Sequence, residues 1–423
     1  MIRINKCMKK SIVKIICFSM FFFCFFIIKN MEAYAEGVGE LYAQAAVLMD
    51  AETGRVLYGK NEMALLPMAS TTKIMTCILA LENGDLNDEV KVSSYAAKMP
   101  DVQLNIKEGE KYRLEDLLYS IMLESHNDSA VAIAEHIGGS VEGFAVLMNQ
   151  KAKQIGANDT CFITPNGLDA TGKLVDEYGN EKTVFHSTTA KDLARIMRYC
   201  LKESPKRDKF KEITQKDAHS FTDCEQKRDF LCNNHNSLLW KRTDAISGKT
   251  GFTNKAGYCY VGAIENEGRT YIVALLACGW PYNKNYKWKD CERLFTYGLE
   301  HYELVAANDG EMDFEIPKEI TVENGCFSIW SKDEQGSVPI VVKESNRESK
   351  KALLKDGEEW EISYTVADKV DAPVSQGKKV GEVNYMLDGT IYESRDIVTT
   401  QFIGRINLKW CIEQICQYIL RRL

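Results

Sequence analysis

The sequence lacks a basic stripe, and its formal net charge is −7 because 60 acidic residues outnumber 53 basic ones over 423 positions. Proteins that bind the phosphate backbone of nucleic acid carry a clustered positive face, so nucleic acid is excluded as a partner. The cysteines lack C-x-x-C spacing, which argues against a zinc ribbon or a thioredoxin-like site. The chain also lacks G-x-S-x-G, which removes the usual signature of a Ser-His-Asp hydrolase; Gly138 to Gly143 has the wrong spacing.

The composition is that of an ordinary globular protein. Apolar residues make up 45% of the chain and charged residues 27%, which supports a packed core and argues against disorder. The length suggests two or three domains. Cysteines such as Cys77 and Cys278 lie in apolar stretches, where a small buried side chain is the simplest interpretation.

The first 35 residues have the composition of an export signal. A positively charged start is followed by an apolar run from Ile15 to Ile28, and Ala33-Tyr34-Ala35 has the small-x-small pattern that signal peptidase requires. We therefore expect Glu36 to begin the mature chain, which would be exported. A retained transmembrane anchor is the alternative, although the run is short for one.

The last 21 residues, 403–423, predict an amphipathic helix. Its apolar residues recur at helical spacing, and basic residues flank them. The segment is too short and too polar to span a bilayer, so we expect it to lie on the outer face of the cytoplasmic membrane. A helix packed on its own protein is the alternative. The apolar stripe consists of Leu408, Cys411, Ile412, Ile415, Ile419 and Leu423.

Between these ends the pattern changes once. Residues 36–305 read as a hairpin at 45–58, several helices and then three strands beyond Asp244, which predicts an α+β domain with an antiparallel sheet covered by helices. Residues 306–402 read as short β segments broken by glycine, proline and charged turns. They predict a small all-β domain that serves as a spacer or contact surface.

Three short motifs occur in order in the first domain: Ser70-Thr-Thr-Lys73, Ser125-His-Asn127 and Lys249-Thr-Gly251. The first places a hydroxyl and an amine on one face of a helix, within proton-transfer reach. S-x-x-K by itself is common, and Ser11 to Lys14 is a chance example. The other two motifs each occur once. The combination predicts an acyl-transfer site.

Each motif has a role in that chemistry. Ser70 is predicted to be the nucleophile that forms the acyl ester, and Lys73 its general base, provided that burial keeps the amine uncharged. Ser125 is predicted to relay a proton, and Asn127 to accept from Lys73 and donate to a substrate amide.

The third motif is predicted to end an edge strand. There, Lys249, Thr250 and Gly251 would bind a terminal carboxylate and an extended peptide. The backbone N–H groups of Ser70 and Phe252 are the expected oxyanion donors. The alternatives are a solvent-facing lysine in a chance S-x-x-K for the first motif, simple helix capping for the second and a plain turn for the third. Asp128 and Ser129 are interpreted as helix caps, and His126 has no required role.

At these residues the chain resembles the penicillin-recognising serine D-alanyl-D-alanine carboxypeptidases, the low-molecular-mass penicillin-binding proteins of peptidase family S11. The resemblance covers nearly the whole mature chain, including the β-rich domain and the terminal helix. His126 departs from it, because the family more often has a small residue there. The matching segments are Pro67–Thr76, Ser125–Ala130, Thr164–Asp169, Ser187–Leu193, Lys249–Thr253, Ala256–Tyr258, Ala372–Val374 and Gly377–Gly381.

This resemblance implies a β-lactamase/transpeptidase-like fold and a reaction without a metal or other cofactor. Ser70 would attack the penultimate D-alanine of a peptidoglycan stem pentapeptide, expel the terminal D-alanine and later be freed by water. β-Lactam antibiotics would acylate the same serine. A class A β-lactamase is an alternative, but the Glu-x-x-Leu-Asn pattern of its deacylating loop is missing. A non-catalytic β-lactam sensor and a wall-binding module are further alternatives.

Overall fold

The computed structural model describes residues 37–100, 102–175, 181–307, 316–327, 336–344 and 349–422. The predicted signal segment, residues 1–35, lies outside the described residues. The chain divides into two compact units, Met1–His301 and Tyr302–Leu423. The sequence had placed this boundary at residues 305 and 306. The structure places it earlier because the strand Tyr302–Ala306 pairs with Lys351–Lys355 of the second unit.

The first unit is built on a five-stranded antiparallel sheet that combines the two ends of its sequence. The early hairpin supplies two strands, and the three late strands join it because Arg269–Leu276 pairs with Ala45–Asp50. In spatial order the strands are β2 (Val56–Lys60), β1 (Ala45–Asp50), β11 (Arg269–Leu276), β10 (Gly257–Asn266) and β9 (Ala245–Thr253).

Both faces of this sheet are covered by helices. Val47 and Met49 of β1 belong to the large apolar core shared with the helices. On the opposite face, the Tyr271 hydroxyl donates to the Gly298 carbonyl at 2.9 Å, and Gly298 lies in the late helix Tyr286–His301. Successive residues of a strand point to opposite faces, so every residue of β1 is buried.

The helices of the first unit position the predicted motifs. A 3₁₀ turn, Ala69–Thr72, leads into the buried helix α1, and a π-helical turn, Ser120–Glu124, follows α2. A second π-helical turn spans Tyr199–Glu203. In chain order the α-helices are α1 (Lys73–Asn83), α2 (Leu114–Tyr119), α3 (Asn127–Gly138), α4 (Val141–Gln154), α5 (Ala190–Arg198), α6 (Arg207–Gln215), α7 (Leu238–Lys241) and α8 (Tyr286–His301).

Three short hairpins complete the first unit. They are β3 and β4 (Glu89–Lys91 with Lys111–Arg113), β5 and β6 (Thr171–Val175 with Glu181–Phe185) and β7 and β8 (Ala218–Thr222 with Asp229–Asn233). Within the described part of the chain, all eleven cysteines are free.

The second unit is all-β apart from one terminal helix. Its main sheet has six strands and an apolar core that includes Val338, Val383, Tyr385 and Ile397. In spatial order the strands are β16 (Glu361–Val366), β18 (Lys379–Leu387), β19 (Thr390–Thr399), β14 (Gly336–Val342), β13 (Glu319–Glu323) and β17 (Lys369–Asp371); β12 (Tyr302–Ala306) and β15 (Lys351–Lys355) form a separate pair. The predicted fold class, α+β followed by an all-β domain, is confirmed.

The terminal helix α9 spans Leu408–Leu420, and the Asn407 side chain caps it by accepting from the Trp410 N–H at 3.0 Å. Arg405 and Ile403 precede the helix and form isolated β-bridges to Gly325 and Val374 of the second unit. None of the described residues of α9 is buried. Its exposed apolar side chains include Leu408, Ile412, Ile415, Ile419 and Leu420.

No single helix among the described residues is long and apolar enough to cross a membrane. One pair, α3 with α4, meets the criterion jointly, but the two helices are bent by 81°.

Candidate active site

The hydroxyl of Ser70 and the amine of Lys73 lie side by side at the start of α1, with 2.9 Å between Oγ and Nζ. The sequence predicted that both groups lie on one face of a helix. The structure instead forms a 3₁₀ turn at Ala69–Thr72, and the α-helix begins at Lys73. A 3₁₀ turn has three residues per turn, so residues three apart are eclipsed. This local geometry brings the two groups together.

Lys73 is completely buried and is surrounded by oxygen acceptors. Its Nζ donates to Asn127 Oδ1 at 2.8 Å and to the carbonyl of Asn166 at 2.7 Å. Burial lowers the pKa of Lys73 well below the usual lysine value, and the Lys249 cation lowers it further, while the Asp128 carboxylate partly opposes both effects. Removing an amine from water disfavours its charged form, which is the condition that a lysine base requires.

The second motif lies where the π-helical turn ends and α3 begins. Ser125 has a left-handed backbone with φ +70°, and the next two residues return to ordinary conformations. The Asn127 side chain donates to the Pro100 carbonyl at 3.1 Å, which orients its oxygen toward Lys73. The motif thus presents Ser125 and Asn127 on the same side, one toward each lysine.

Lys249 lies on β9, which is an edge strand of the sheet. Its Nζ donates to Ser125 Oγ at 3.0 Å and to the Thr250 carbonyl at 2.9 Å. Burial lowers the pKa of Lys249 to about 7. The motif does not end the strand, as the sequence suggested, because pairing with β10 continues through Phe252 and Thr253.

Gly251 keeps the space in front of Ser70 open. A Cβ at this position would lie 2.9 Å from the Ser70 backbone nitrogen and 3.0 Å from that of Thr71. Any side chain would therefore block approach to these N–H groups. Phe252 follows with a ring that is 38% exposed and 4.7 Å from the Tyr258 ring.

The sequence-based reasoning missed the contribution of the loop Pro165–Gly167. The Asn166 carbonyl contacts Lys73, as described above, and Gly167 has φ +85° and lies so close to the Ala69 carbonyl that a Cβ would be 2.0 Å from it. The segment had been noted only as part of the family resemblance. A backbone carbonyl has no residue-type signal, so only the Pro-Asn-Gly turn composition marked this loop.

His186 is a second missed residue. Its side chain is buried, and burial lowers its pKa to about 3, so the ring is neutral. Nδ1 accepts from the Ile163 N–H at 3.0 Å, which leaves Nε2 to donate to Thr72 Oγ1 at 2.8 Å. His186 therefore ties the loop before Asn166 to the turn that carries Ser70.

The interpretation of Asp128 and Ser129 as helix caps was wrong. The residue at the N-cap of α3 is His126, without a side-chain cap bond. The Asp128 carboxylate instead accepts from the backbone N–H groups of Leu104 and Ile106, at 3.0 and 3.2 Å. Ser129 Oγ lies 2.8 Å from Ser120 Oγ. These two side chains join the motif to neighbouring segments.

Among the described residues, no group of three or more His, Cys, Asp or Glu side chains is arranged to hold a metal ion. What the structure does bring together, from three separate segments, is a serine, two buried lysines, a second serine and a carboxamide. Together with an edge strand beside them, these define a class: an α+β protein with a serine–lysine site at a sheet edge.

Comparison with known proteins defines the family. The model for the D-alanyl-D-alanine carboxypeptidase family of S11 peptidases matches residues 30–278, which is more than half of the chain. The chain belongs to this family. The model for the C-terminal domain of penicillin-binding protein 5 matches residues 328–405, in the second unit.

Individual relatives agree with this assignment. The chain is 28% identical over 366 residues to D-alanyl-D-alanine carboxypeptidase DacF of Bacillus subtilis, with 82% of each chain covered. It is similar to the crystal structure of penicillin-binding protein 5 from Haemophilus influenzae, with a TM-score of 0.62, 26% identity and coverage of 86% of this chain and 98% of that one. The ampicillin-bound form of penicillin-binding protein D2 from Listeria monocytogenes matches with a TM-score of 0.50 and 27% identity, over 62% of this chain and 99% of that one.

Proposed function

We propose that this chain is a serine D-alanyl-D-alanine carboxypeptidase that removes the terminal D-alanine from peptidoglycan stem pentapeptides through an acyl-enzyme on Ser70. The observation that carries the proposal is the 2.9 Å contact between Ser70 Oγ and the fully buried amine of Lys73. Membership of the family and the names of its relatives support the substrate class.

Lys73 acts as the general base. A neutral amine has two N–H bonds and one lone pair. Asn127 Oδ1 and the Asn166 carbonyl can only accept, so they take the two N–H bonds. The lone pair then faces Ser70, whose hydroxyl is the one partner in this set that can donate a proton. Ser70 Oγ attacks the carbonyl carbon of the penultimate D-alanine as its proton passes to Lys73.

Ser125 and Lys249 act on the leaving group. The terminal D-alanine leaves as an amine and needs a proton, which Ser125 relays from Lys73. Lys249 donates to Ser125 Oγ and, with Thr250, attracts the carboxylate of that terminal residue. The second cation also favours the uncharged form of Lys73. Water then attacks the ester carbonyl and regenerates Ser70.

The edge strand β9 aligns the peptide. An extended substrate pairs with its free edge, and Gly251 allows the close approach that the pairing needs. The backbone N–H groups of Ser70 and Phe252 stabilise the oxyanion of the tetrahedral intermediate. A β-lactam antibiotic presents an amide carbonyl and a carboxylate in the same arrangement and so acylates Ser70; the ampicillin complex of a relative supports this.

The decisive test is Ser70→Ala. We expect it to abolish covalent labelling by penicillin and to lower D-alanine release from diacetyl-Lys-D-Ala-D-Ala by about 10⁴-fold or more, since the nucleophile itself is removed. Mass spectrometry of the intact protein and of its peptides locates the adduct in the unaltered protein. An adduct on any other residue, or full labelling of the variant, would show that Ser70 is not the nucleophile.

The same assay separates the alternatives. Rapid release of hydrolysed penicillin without D-alanine release would indicate a β-lactamase. Stable labelling without D-alanine release would indicate a sensor. The absence of both would leave only a wall-binding role.

We further propose that the protein is exported and held on the outer face of the cytoplasmic membrane by α9. The signal-like residues 1–35 and the exposed apolar side chains of α9 support this location. Because Ile403 and Arg405 form β-bridges to Val374 and Gly325 within the second unit, a truncation should begin at Asn407 rather than at Arg405.

Deletion of residues 407–423 is expected to move the protein from the membrane pellet to the soluble fraction with its carboxypeptidase activity intact. A substitution of Lys409 by Gln alone, which keeps the apolar face, serves as the control. Continued sedimentation of the truncated protein with membranes would contradict the anchor.

A further inference from the structure

Ser125 is held in a conformation that a serine does not choose by itself. Its φ of +70° and ψ of +29° lie in the left-handed region, which costs a residue with a side chain on the order of 1 kcal/mol or more. This backbone directs Oγ toward Lys249, 3.0 Å away. Something in the surrounding structure must therefore fix the peptide groups on both sides of Ser125.

The N-terminal side is fixed by Glu124. Its carboxylate accepts from the Asn233 N–H at 2.8 Å and contacts the His235 ring nitrogen Nε2 at 2.6 Å, which joins the end of the π-helical turn to the segment after β8. Two residues after Ser125, the Asn127 N–H donates to the Val102 carbonyl at 2.7 Å. His126 lies between Glu124 and Asn127 in the chain.

His126 makes the remaining connection through its side chain. Its Nδ1 lies 2.9 Å from Ser120 Oγ, which in turn lies 2.8 Å from Ser129 Oγ. The ring is only 8% exposed. Ser120 is the first residue of the π-helical turn, so this bond closes a loop from the start of that turn to the residue after Ser125.

The charges around the ring are consistent with a neutral imidazole. Burial lowers the pKa of His126 below the usual histidine value, Lys73 and His235 lower it further, and Asp128 and Glu124 act in the opposite direction. A neutral ring can share a hydrogen bond with a serine hydroxyl without placing another positive charge near Lys73 and Lys249.

We propose that His126 is a positioning residue for the acylation step: through its bond to Ser120 it holds Ser125 in the left-handed backbone that aims the Ser125 hydroxyl at Lys249 and the leaving amine. This inference rests on the proton-relay role of Ser125 proposed above. It assigns a task to the one residue of the three motifs that departs from the small residue more common in the family.

The test compares four variants, His126→Ala, His126→Asn, Ser120→Ala and Ser129→Ala, together with the double variant at 126 and 120. Asn carries a hydrogen-bonding atom as far from the backbone as His Nδ1, so it can restore the bond to Ser120. Ser129→Ala is the matched control, because it leaves the bond between His126 and Ser120 in place. Each protein is assayed by the rate and final stoichiometry of penicillin labelling, by kcat and KM for diacetyl-Lys-D-Ala-D-Ala, and by thermal unfolding.

We expect His126→Ala and Ser120→Ala each to slow acylation and kcat by roughly tenfold, with KM and the final labelling stoichiometry unchanged. The double variant should be no slower than either single variant, because both remove the same bond. His126→Asn should recover most of the rate, and Ser129→Ala should stay within about twofold of the unaltered protein.

Additive losses in the double variant, or an acylation rate unchanged in His126→Ala, would overturn the inference. So would a fall in final stoichiometry that parallels the fall in rate, since that pattern reports misfolded protein. Ser125→Ala distinguishes the two levels of the argument. If it acylates at the normal rate, the relay role fails and this inference fails with it. If it is slow while His126→Ala is normal, the relay stands and His126 does not position it.

Discussion

The sheet of the first unit and the sheet of the second are both packed on apolar cores, and they differ in what else they bury. The first unit buries several ionisable groups, among them Lys73, Lys249, Asp128 and His186. In the described part of the second unit, the buried polar residues are Asn384 and Thr399, which are neutral. Thr399 is also fully satisfied, because its hydroxyl donates to the Ser375 carbonyl at 2.7 Å.

This difference shows that the first unit is the one that bears the energetic cost of burying ionisable groups. A buried amine is destabilising unless it loses its proton or finds a partner. In the first unit two lysines lie within the same polar cluster, and burial lowers the pKa of both. Perturbed lysines beside a serine at a sheet edge are typical of chemistry, whereas the second unit has the composition of a structural or contact domain.

Breaking the first unit's cluster should have the largest effect on activity. Lys73→Met is expected to reduce acylation of Ser70 by about 10³-fold or more, since the base is lost while the chain keeps a side chain of similar length. Lys73→Arg is the control for charge. Arginine stays protonated at any accessible pH, so it should be equally inactive if a base is required. A rate near normal in the Arg variant, measured by penicillin labelling, would mean that Lys73 acts only as a cation.

Breaking the second unit's core should affect stability without affecting the reaction. Ile397 is fully buried in β19, and Ile397→Ala is expected to destabilise that unit by about 2–5 kcal/mol. Ile391, on the same strand, is 54% exposed, so Ile391→Ala is the matched control and should change little.

Chemical denaturation measures the stability of both variants, and D-alanine release measures their activity. Loss of kcat in folded Ile397→Ala would show that the second unit takes part in the reaction. Equal destabilisation by the two substitutions would contradict the core assignment of Ile397.

The smallest expected effect is on the pH dependence of the free energy of unfolding, to which the buried Lys249 contributes. Lys249 has a pKa of about 7 in the folded protein and 10.5 as its ordinary value. Between these values the unfolded chain holds a proton that the folded chain has lost, so the free energy of unfolding rises with pH, by at most about 1.4 kcal/mol per pH unit. Below pH 7 both states are protonated and this contribution to the slope vanishes.

Lys249→Met should remove that contribution, and the exposed Lys255→Met should not. Denaturation curves are measured at pH 6, 7, 8 and 9. We expect the free energy of unfolding to rise less steeply above pH 7 in the Lys249 variant than in the other two proteins. Identical slopes in all three proteins would mean that the Lys249 amine keeps its ordinary pKa in the folded state.

Much of the fold followed from local patterns. The hairpin expected at residues 45–58 and the three strands expected beyond Asp244 are elements that the structure contains. These patterns are reliable because strand and helix periods are set by the backbone itself. Boundaries were less predictable: the 3₁₀ turn at Ser70 and the π-helical turn before Ser125 depend on tertiary packing, which has no local signal.

The sequence by itself determined which groups are available for the proposed chemistry, because a nucleophile, a base and a carboxylate-binding cation must be particular residue types, and the motifs offered Ser70, Lys73 and Lys249 for these roles. Only the tertiary structure decided how those groups meet. The Asn166 carbonyl reaches Lys73 from 93 residues away, and Lys249 reaches Ser125 across 124 residues. The lowered pKa of Lys73 likewise comes from burial, and burial is a property of the folded surroundings rather than of any one residue.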